Sequence, residues 1–337
     1  MSAAGPGPGA PFRIRIVGTG RALPSRRVSN HELSTWLDTS DEWIRQRTGI
    51  QYRYWAGEGE TAVSLARSAA ARALKRAGMS PAEIQLIVFA TLTPDHPLPF
   101  CAALLQRDLG ANGAAGFDVT SGCAGFVQAV QIAAQFIRSG TYENALVVGA
   151  DTMSSVIDRQ DRNTAVIFAD GAGAMVMRRG GPDVASDLLA MDGGLSGDDQ
   201  VLVTRLGGSR FPIDAENVGS SGRYLHMDGS AVFRFAVDVL GRQIHACCER
   251  AGATPRDLKL IVPHQVNRRI IENAARRCAI PIERFMIDLD RFGNTGGASV
   301  PIALDEAIAA RRIEHGDLLL MVGFGSGLAW ASALFRY

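Results

Sequence analysis

The sequence predicts a layered α/β fold with duplicated halves related by pseudo-twofold symmetry. Its first sign is an internal repeat. One constant offset lays Ser80-Pro-Ala-Glu-Ile-Gln-Leu-Ile-Val88 over Thr254-Pro-Arg-Asp-Leu-Lys-Leu-Ile-Val262, Ala145-Leu-Val-Val-Gly149 over Leu319-Leu-Met-Val-Gly323, and Ser121-Gly-Cys-Ala124 over Thr295-Gly-Gly-Ala298. Two long copies exclude a solenoid, which needs at least about three short units. The second sign is that the candidate strands, such as 85–90 and 259–262, are continuously apolar rather than alternating, as in sheets covered by helices on both faces. The third is that stretches of helical spacing, such as 61–77 and 231–251, fall between those strands. The halves divide at residues 1–180 and 181–337, with the repeat itself starting near residue 12.

Along the chain, the opening MSAAGPGPGAPF carries Gly and Pro where a secretory signal needs basic residues and an apolar stretch, and reads as a frayed tail. Ser80 and Thr254 each offer a capping hydroxyl, followed by Pro at the first helical position and an acid in the first turn. Residues 124–134 have helical spacing directly after the Asp118-Val-Thr-Ser-Gly122 strand end, and 268–277 is a further helical stretch. The uncharged run 318–335 reaches the length of about 18 residues that a membrane helix needs, yet its three glycines and two serines suit two buried strands joined by a sharp turn. No membrane insertion is expected.

With 337 residues and 47% hydrophobic content the chain can furnish a substantial core. Its 35 Lys+Arg against 34 Asp+Glu leave a net charge of +1, so no nucleic-acid-tracking surface is expected, although a local basic patch fits within a neutral total. Five cysteines without a CxxC pair point away from a disulfide scaffold or thiolate metal site and towards a reducing, cytoplasmic setting. Neither an HExxH motif nor a close histidine cluster is present, and no metal is expected.

Where the repeat breaks, chemistry is suggested. Cys123 aligns with Gly297, each between a Gly and an Ala before a helical run. A thiol at a strand-to-helix turn faces the unpaired N–H groups and dipole of the helix start, which favour thiolate and can hold an oxyanion. A small buried apolar residue is the plain alternative. His264 follows a strand directly, after Pro263, and Asn294 lies among glycines that permit close backbone approach. A backbone-paired loop histidine and a capping asparagine are the corresponding structural alternatives.

Five motifs in order resemble the β-ketoacyl-acyl-carrier-protein synthase III family of the thiolase-like fold. They are Asp38-Thr-Ser-Asp-Glu-Trp-Ile44 with Arg47-Thr-Gly-Ile50, Gly122-Cys-Ala-Gly-Phe126, Phe168-Ala-Asp-Gly-Ala-Gly-Ala174, Val262-Pro-His-Gln-Val-Asn267 and Gly293-Asn-Thr295. The resemblance implies that Cys123 takes an acyl group from acyl-coenzyme A, coenzyme A being released. His264 and Asn294 then promote decarboxylation of malonyl-acyl-carrier protein, and no tightly bound cofactor takes part. It places oxyanion donors at the N–H groups of Cys123 and Ser326. It further assigns Thr39, Trp43, Arg47 and Arg162 to the nucleotide end of coenzyme A, and Phe233, Val266, Asn267 and Phe324 to the pantetheine tunnel. Gln265, Val266, Asn267, Arg268 and Arg269 form the carrier-docking stretch, and the family is homodimeric.

Departures from the commonest family pattern cluster near the substrate: Leu98 for Phe, Gly122 for Ala, Gly296-Gly297 for Ser-Ala, and Ser326 for Gly. Less bulk at Leu98 and Gly122 leads to the expectation of room for a primer larger than acetyl. Initiation of type II fatty acid synthesis is the function implied first, and a specialised acyl-condensing or acyl-transfer relative in secondary metabolism the alternative. A non-enzymatic carrier-binding role gives no use for Cys123, His264 and Asn294 together.

Overall fold

The protein is described by a computed structural model covering residues 12–181 and 187–337. The tail read from the sequence as frayed lies, apart from Phe12, outside the described residues. Strands β1 (Arg13–Ala22), β2 (Leu86–Ala90), β3 (Ala115–Val119), β4 (Asn144–Thr152) and β5 (Asp170–Gly180) form one sheet in the order β1-β5-β4-β2-β3. Strands β6 (Asp187–Asp198), β7 (Leu258–Pro263), β8 (Leu318–Gly325) and β9 (Gly327–Arg336) form a second, in the order β7-β8-β9-β6.

The two sheets share one pattern. Along β1-β5-β4-β2 the pairings run antiparallel, antiparallel, parallel, and along β6-β9-β8-β7 they run the same way. Only the parallel edge strand β3 lacks a full counterpart, its place in the second sheet being marked by a single bridge between Ile261 and Phe285. The uncharged run 318–335 forms β8 and β9, an antiparallel pair turning at Ser326. Among the described residues no helix is long and apolar enough to cross a membrane.

Helix α1 (Asp41–Thr48) lies outside the sheets, whereas α2 (Ala62–Ala77) packs on the outer face of the first sheet. Thr61 caps α2 through a reciprocal box with Ser64, satisfying N–H groups that the first turn leaves unpaired. Helix α3 (Gly125–Arg138) runs between the sheets; α4 (Gly229–Arg250) and α5 (Arg268–Arg277) cover the second sheet outside, and α6 (Ser299–Ala309) joins α3 in the middle. The result is five layers. Strand side chains alternate between layers that are all dry: Leu146 and Val148 face α2, while Ala145 and Val147 face the central helices. Hence the continuous apolar strands.

The central layer is also tied by charge. Asp305 of α6, 1% exposed, accepts from Thr19 of β1 (2.8 Å), from Arg21 and from Arg76 of α2. A buried carboxylate with two guanidinium partners is satisfied, whereas removing either partner leaves charge in a dry layer.

Phe126 of α3 is fully buried between the sheets. Phe126→Ala is expected to lower unfolding stability by about 3–5 kcal/mol through lost transfer energy and the cavity left behind, read as a reduced denaturant midpoint with unchanged slope.

Candidate active site

The nucleophile candidate sits on the turn between β3 and α3. Gly122 there has φ of 55°, a left-handed conformation that glycine adopts without penalty. A methyl group on Gly122 would stand 2.8–3.0 Å from the backbone N, Oγ and backbone O of Ser326, so the β8–β9 turn closes directly over it. Cys123 is 3% exposed. Burial pushes its thiol well above the ordinary range, and the negative charge of Asp151 adds to the rise. Desolvation thus works against the thiolate-favouring N–H groups of the turn and outweighs them in the resting site.

His264 directly follows Pro263, the last residue of β7, and is held by its N–H to the carbonyl of Val322 in β8 (2.7 Å). Its Nδ1 lies 2.5 Å from Ser299 Oγ at the start of α6. That oxygen also accepts from the Gln265 N–H (3.4 Å); with the Ser299 hydroxyl assigned as donor to Nδ1, the ring proton sits on Nε2. Burial alone pulls the imidazole pKa down to about 3, so the ring is neutral near pH 7, and its edge meets the face of Phe324 at 5.3 Å.

Asn294 is clamped by its backbone: its N–H donates to Ile167 O (3.0 Å) and its carbonyl accepts from Ala169 N–H (2.8 Å). Its Oδ1 accepts from the Gly296 N–H (3.0 Å). The amide orientation is thus fixed with Nδ2 as the remaining donor.

Cys123, His264 and Asn294, distant in sequence, line one narrow, mainly apolar cavity of about 20 Å³ with Val266 and Phe324. Cys123 also borders a second cavity of about 130 Å³, walled by Leu92, Met153, Val156, Leu225 and Ser326. Phe168 and Leu202 touch both. The arrangement is a thiol between two apolar chambers, one of which carries two neutral hydrogen-bond donors and no cation.

The remaining residues singled out in the sequence fall into three groups. Trp43, Arg47 and Arg162 come together at the surface, with the guanidinium groups 5.8 Å and 4.8 Å from the indole centroid. Thr39, one residue along from the Asp38 carbonyl that Arg162 grips, has a buried Oγ1 without a partner in the structure. Asn267 caps α5 through Arg269 N–H and ties α5 to the Arg47 carbonyl.

The structure places Phe233 and corrects two expectations. Val232 and Phe235, three apart on one face of α4, line the inner cavity, and Phe233 lies under the guanidinium of Arg269. Gln265 cannot meet a carrier, since it is 1% exposed and its side chain bonds Pro263 O, Met286 O and Asp288 N–H. Val266 is likewise buried, which leaves Arg268 and Arg269 as the exposed pair. The room expected beside Gly122 is taken up by Ser326. Asp151, close to Cys123 and absent from the sequence-based site, had one signal available: it aligns through the repeat with Gly325.

Paired sheets of matching topology around two buried central helices, with the thiol at one helix start, define an enzyme of the thiolase-like class. Family models for 3-oxoacyl-[acyl-carrier-protein] synthase III match residues 117–194, and for its C-terminal part residues 248–337. A β-ketoacyl-[acyl-carrier-protein] synthase III of Symbiobacterium thermophilum is 43% identical over 326 residues, covering 96% of this chain and 98% of the relative. The crystal structure of 3-oxoacyl-[acyl-carrier-protein] synthase III from Aquifex aeolicus superposes with a TM-score of 0.89 at 40% identity, covering 96% and 100% of the two chains. The priming β-ketosynthase of the R1128 polyketide biosynthetic pathway gives 0.88 at 37%, covering 98% of each. The chain belongs to the β-ketoacyl-[acyl-carrier-protein] synthase III family.

The depressed His264 pKa has a measurable sign. The unfolded chain takes up a proton near the ordinary value of 6.5 and the folded chain only near 3, so the histidine's contribution to stability is whole above about pH 6.5 and is lost as pH falls towards 3. His264→Gln is expected to flatten the decline of stability between about pH 6 and 4. Histidine-selective NMR is expected to find the wild-type His264 ring still neutral at about pH 5.

Proposed function

We propose that the protein is a β-ketoacyl-acyl-carrier-protein synthase III, condensing an acyl group from acyl-coenzyme A with malonyl-acyl-carrier protein. The observation that carries the reading is the meeting of Cys123, His264 and Asn294 at one buried cavity, each fixed by its own backbone element. In the first half-reaction the Cys123 sulfur adds to the thioester carbonyl. Its proton leaves with the coenzyme A sulfur, and the acyl group remains on Cys123 as a thioester. The N–H groups of Cys123 and Ser326 are the proposed donors to the oxygen that becomes negative. With thiol and imidazole both neutral at rest, deprotonation accompanies attack rather than preceding it.

In the second half-reaction the malonyl thioester loses CO₂, and the released electron pair becomes an enolate. His264 Nε2–H and Asn294 Nδ2–H are the proposed donors to its oxygen. A neutral imidazole is the appropriate partner, since it gives a hydrogen bond without surrendering a proton to the enolate before carbon–carbon bond formation. The carbanion then attacks the acyl-Cys123 carbonyl and expels the thiolate, which recovers a proton; the β-ketoacyl product stays on the carrier. No metal or redox group is required by this balance.

Trp43, Arg47 and Arg162 are proposed to hold the nucleotide of coenzyme A, the indole stacking on adenine and the guanidinium forks serving phosphate. The buried, unpartnered Thr39 Oγ1 beside them supports a polar ligand there. Phe324 and Val266 line the proposed pantetheine path, and the cavity walled by Leu92, Met153 and Leu225 is the proposed acyl pocket. Arg268 and Arg269 are the proposed contacts for an acidic carrier. A homodimer is supported by the open edge strand β3 and by Leu98 and Phe100, 83% and 41% exposed just ahead of Cys101, whose N–H donates to Asp118 of β3. We place the boundary between the nucleophile-bearing half and the half bearing His264 and Asn294 at residues 180 and 181. The likeness to the R1128 priming enzyme favours, as a second reading, a primer-loading step in polyketide assembly.

Intact-mass measurement with a panel of acyl-coenzyme A primers is expected to show one acyl group, mapped to Cys123 and no other cysteine; stable acylation confined to Cys247 or Cys278 would overturn the assignment. His264→Ala and Asn294→Ala are expected to slow malonyl decarboxylation by a factor corresponding to about 3 kcal/mol each, with self-acylation much less affected. Leu98, exposed in the single chain, is proposed to reach the partner subunit's acyl pocket across the dimer, and Leu98→Phe is expected to shift the specificity constants towards acetyl- and away from isobutyryl-coenzyme A. Unchanged ratios would remove Leu98 as a determinant.

A further inference from the structure

Asp151, the last residue but one of β4, is a fully buried carboxylate that the reaction proposed above does not use. It accepts four hydrogen bonds: from the N–H groups of Leu92 (2.7 Å) and Gly297 (2.7 Å), and from the hydroxyls of Thr91 (3.0 Å) and Thr93 (3.2 Å). Among the described residues no cation is a partner, and burial raises its pKa to about 6 despite the donors. A buried anion neutralised only by dipoles is costly. Its retention calls for a task that an apolar residue would not perform.

The internal repeat identifies the task. The offset that lays Cys123 on Gly297 also lays Gly149 on Gly323 and Asp151 on Gly325. These pairs meet crosswise in space. A Cβ on Gly149 would fall 2.6 Å from the Gly297 carbonyl oxygen, and one on Gly323 would fall 3.2 Å from the Cys123 carbonyl oxygen and 2.8 Å from Ala124 Cα. Each sheet therefore presses a strand end against the helix-start turn of the opposite half. In one crossing the Asp151 carboxylate accepts from the Gly297 N–H. In the other, the aligned residue is Gly325, whose missing Cβ would lie 2.5 Å from the Cys123 nitrogen. The same turn is thus filled by a protein carboxylate on one side of the pseudo-twofold axis and kept clear of side-chain bulk beside the thiol on the other.

We infer that Asp151 is a positioning residue: as a resident anion on the Gly297 N–H, it locks the Gly296–Gly297 turn, and through it the Asn294 side chain, into register with Cys123. The link is short. Asn294 Oδ1 is oriented by the Gly296 N–H, one residue before the N–H that Asp151 holds, and a Cβ on Gly296 would come 2.5 Å from Asp151 Oδ2. The other three donors belong to residues 91–93, which follow β2 and border the proposed acyl pocket at Leu92. One carboxylate therefore fixes the donor for the second substrate relative to the wall that receives the first. The inference rests on the role proposed for Asn294.

The test separates the half-reactions. In Asp151→Asn the side chain keeps its shape, but one oxygen acceptor becomes a donor facing N–H and O–H groups. Malonyl decarboxylation by this variant is expected to fall at least about tenfold in kcat with little change in KM, while Cys123 self-acylation stays within about threefold. Cys123 alkylation is expected to move to lower pH, since a nearby negative charge is removed. Asp151→Gly, which vacates the carboxylate position, is expected to lose decarboxylation and regain at least about threefold with added formate. If Asp151→Asn does not fold, the Gly variant and Thr93→Val, which removes one donor, carry the test through the same ratio of half-reactions. Equal loss of both half-reactions, an unmoved alkylation profile and no formate response in folded variants would overturn the inference. Asn294→Ala is run in parallel: if it spares decarboxylation, the reading of Asn294 fails; if it abolishes decarboxylation while Asp151→Asn does not, only the role of Asp151 fails.

Discussion

The structure depends on a backbone contact too close for side chains. At the pseudo-twofold axis the ends of β4 and β8 approach the turns that begin α6 and α3, with glycine on at least one side of each contact. A side chain at Gly149 or Gly323 would separate the sheets from the central helices, and the burial of α3 and α6 would be lost with it. Everything chemical is hung from these two crossings. Cys123 sits on one turn, Asn294 leads into the other, and His264 is fastened across them by Ser299 at the start of α6.

Electrostatically, the centre is built for neutral groups. The imidazole is kept uncharged and the thiol protonated by the same cause, removal from water, and the charge that does survive, on Asp151, is surrounded by dipoles. In a dry cavity a neutral donor gains strength against developing negative charge because no solvent competes for it. Charged surroundings are kept to the rim, where Arg162, Arg47 and Arg268 stand exposed on the indole and along α5.

The sequence carried the layered architecture because both devices that produce it are periodic. Strands covered on two faces read as unbroken apolar runs, and a duplicated fold repeats its glycines and caps at fixed offset. The turn chemistry around Cys123, His264 and Asn294 was legible for the same reason: each stands at a strand end or helix start where the pattern breaks. What was not legible depended on direction. Phe235, which lines the inner cavity, was not singled out, because it and Phe233 are both aromatic residues on one helix and only their direction separates them. Gln265 reads as an exposed loop residue beside His264, yet it folds inward to satisfy backbone groups of Pro263 and Met286. The state of the Cys123 thiol depends on how much water the β8–β9 turn excludes, which no local motif encodes. Asp151 became meaningful only when its image, Gly325, was seen against the nitrogen of Cys123.

A thiol kept protonated under the β8–β9 turn also bears on survival of the catalyst between turnovers. Peroxide and disulfide exchange act on thiolates, so a resting Cys123 without ionised sulfur resists sulfenic acid formation and mixed-disulfide capture. Vulnerability is confined to the instant at which the acylated sulfur is released as thiolate, when product still covers it. The burial that holds the sulfur protonated is thus also the protection of the one atom the enzyme cannot replace.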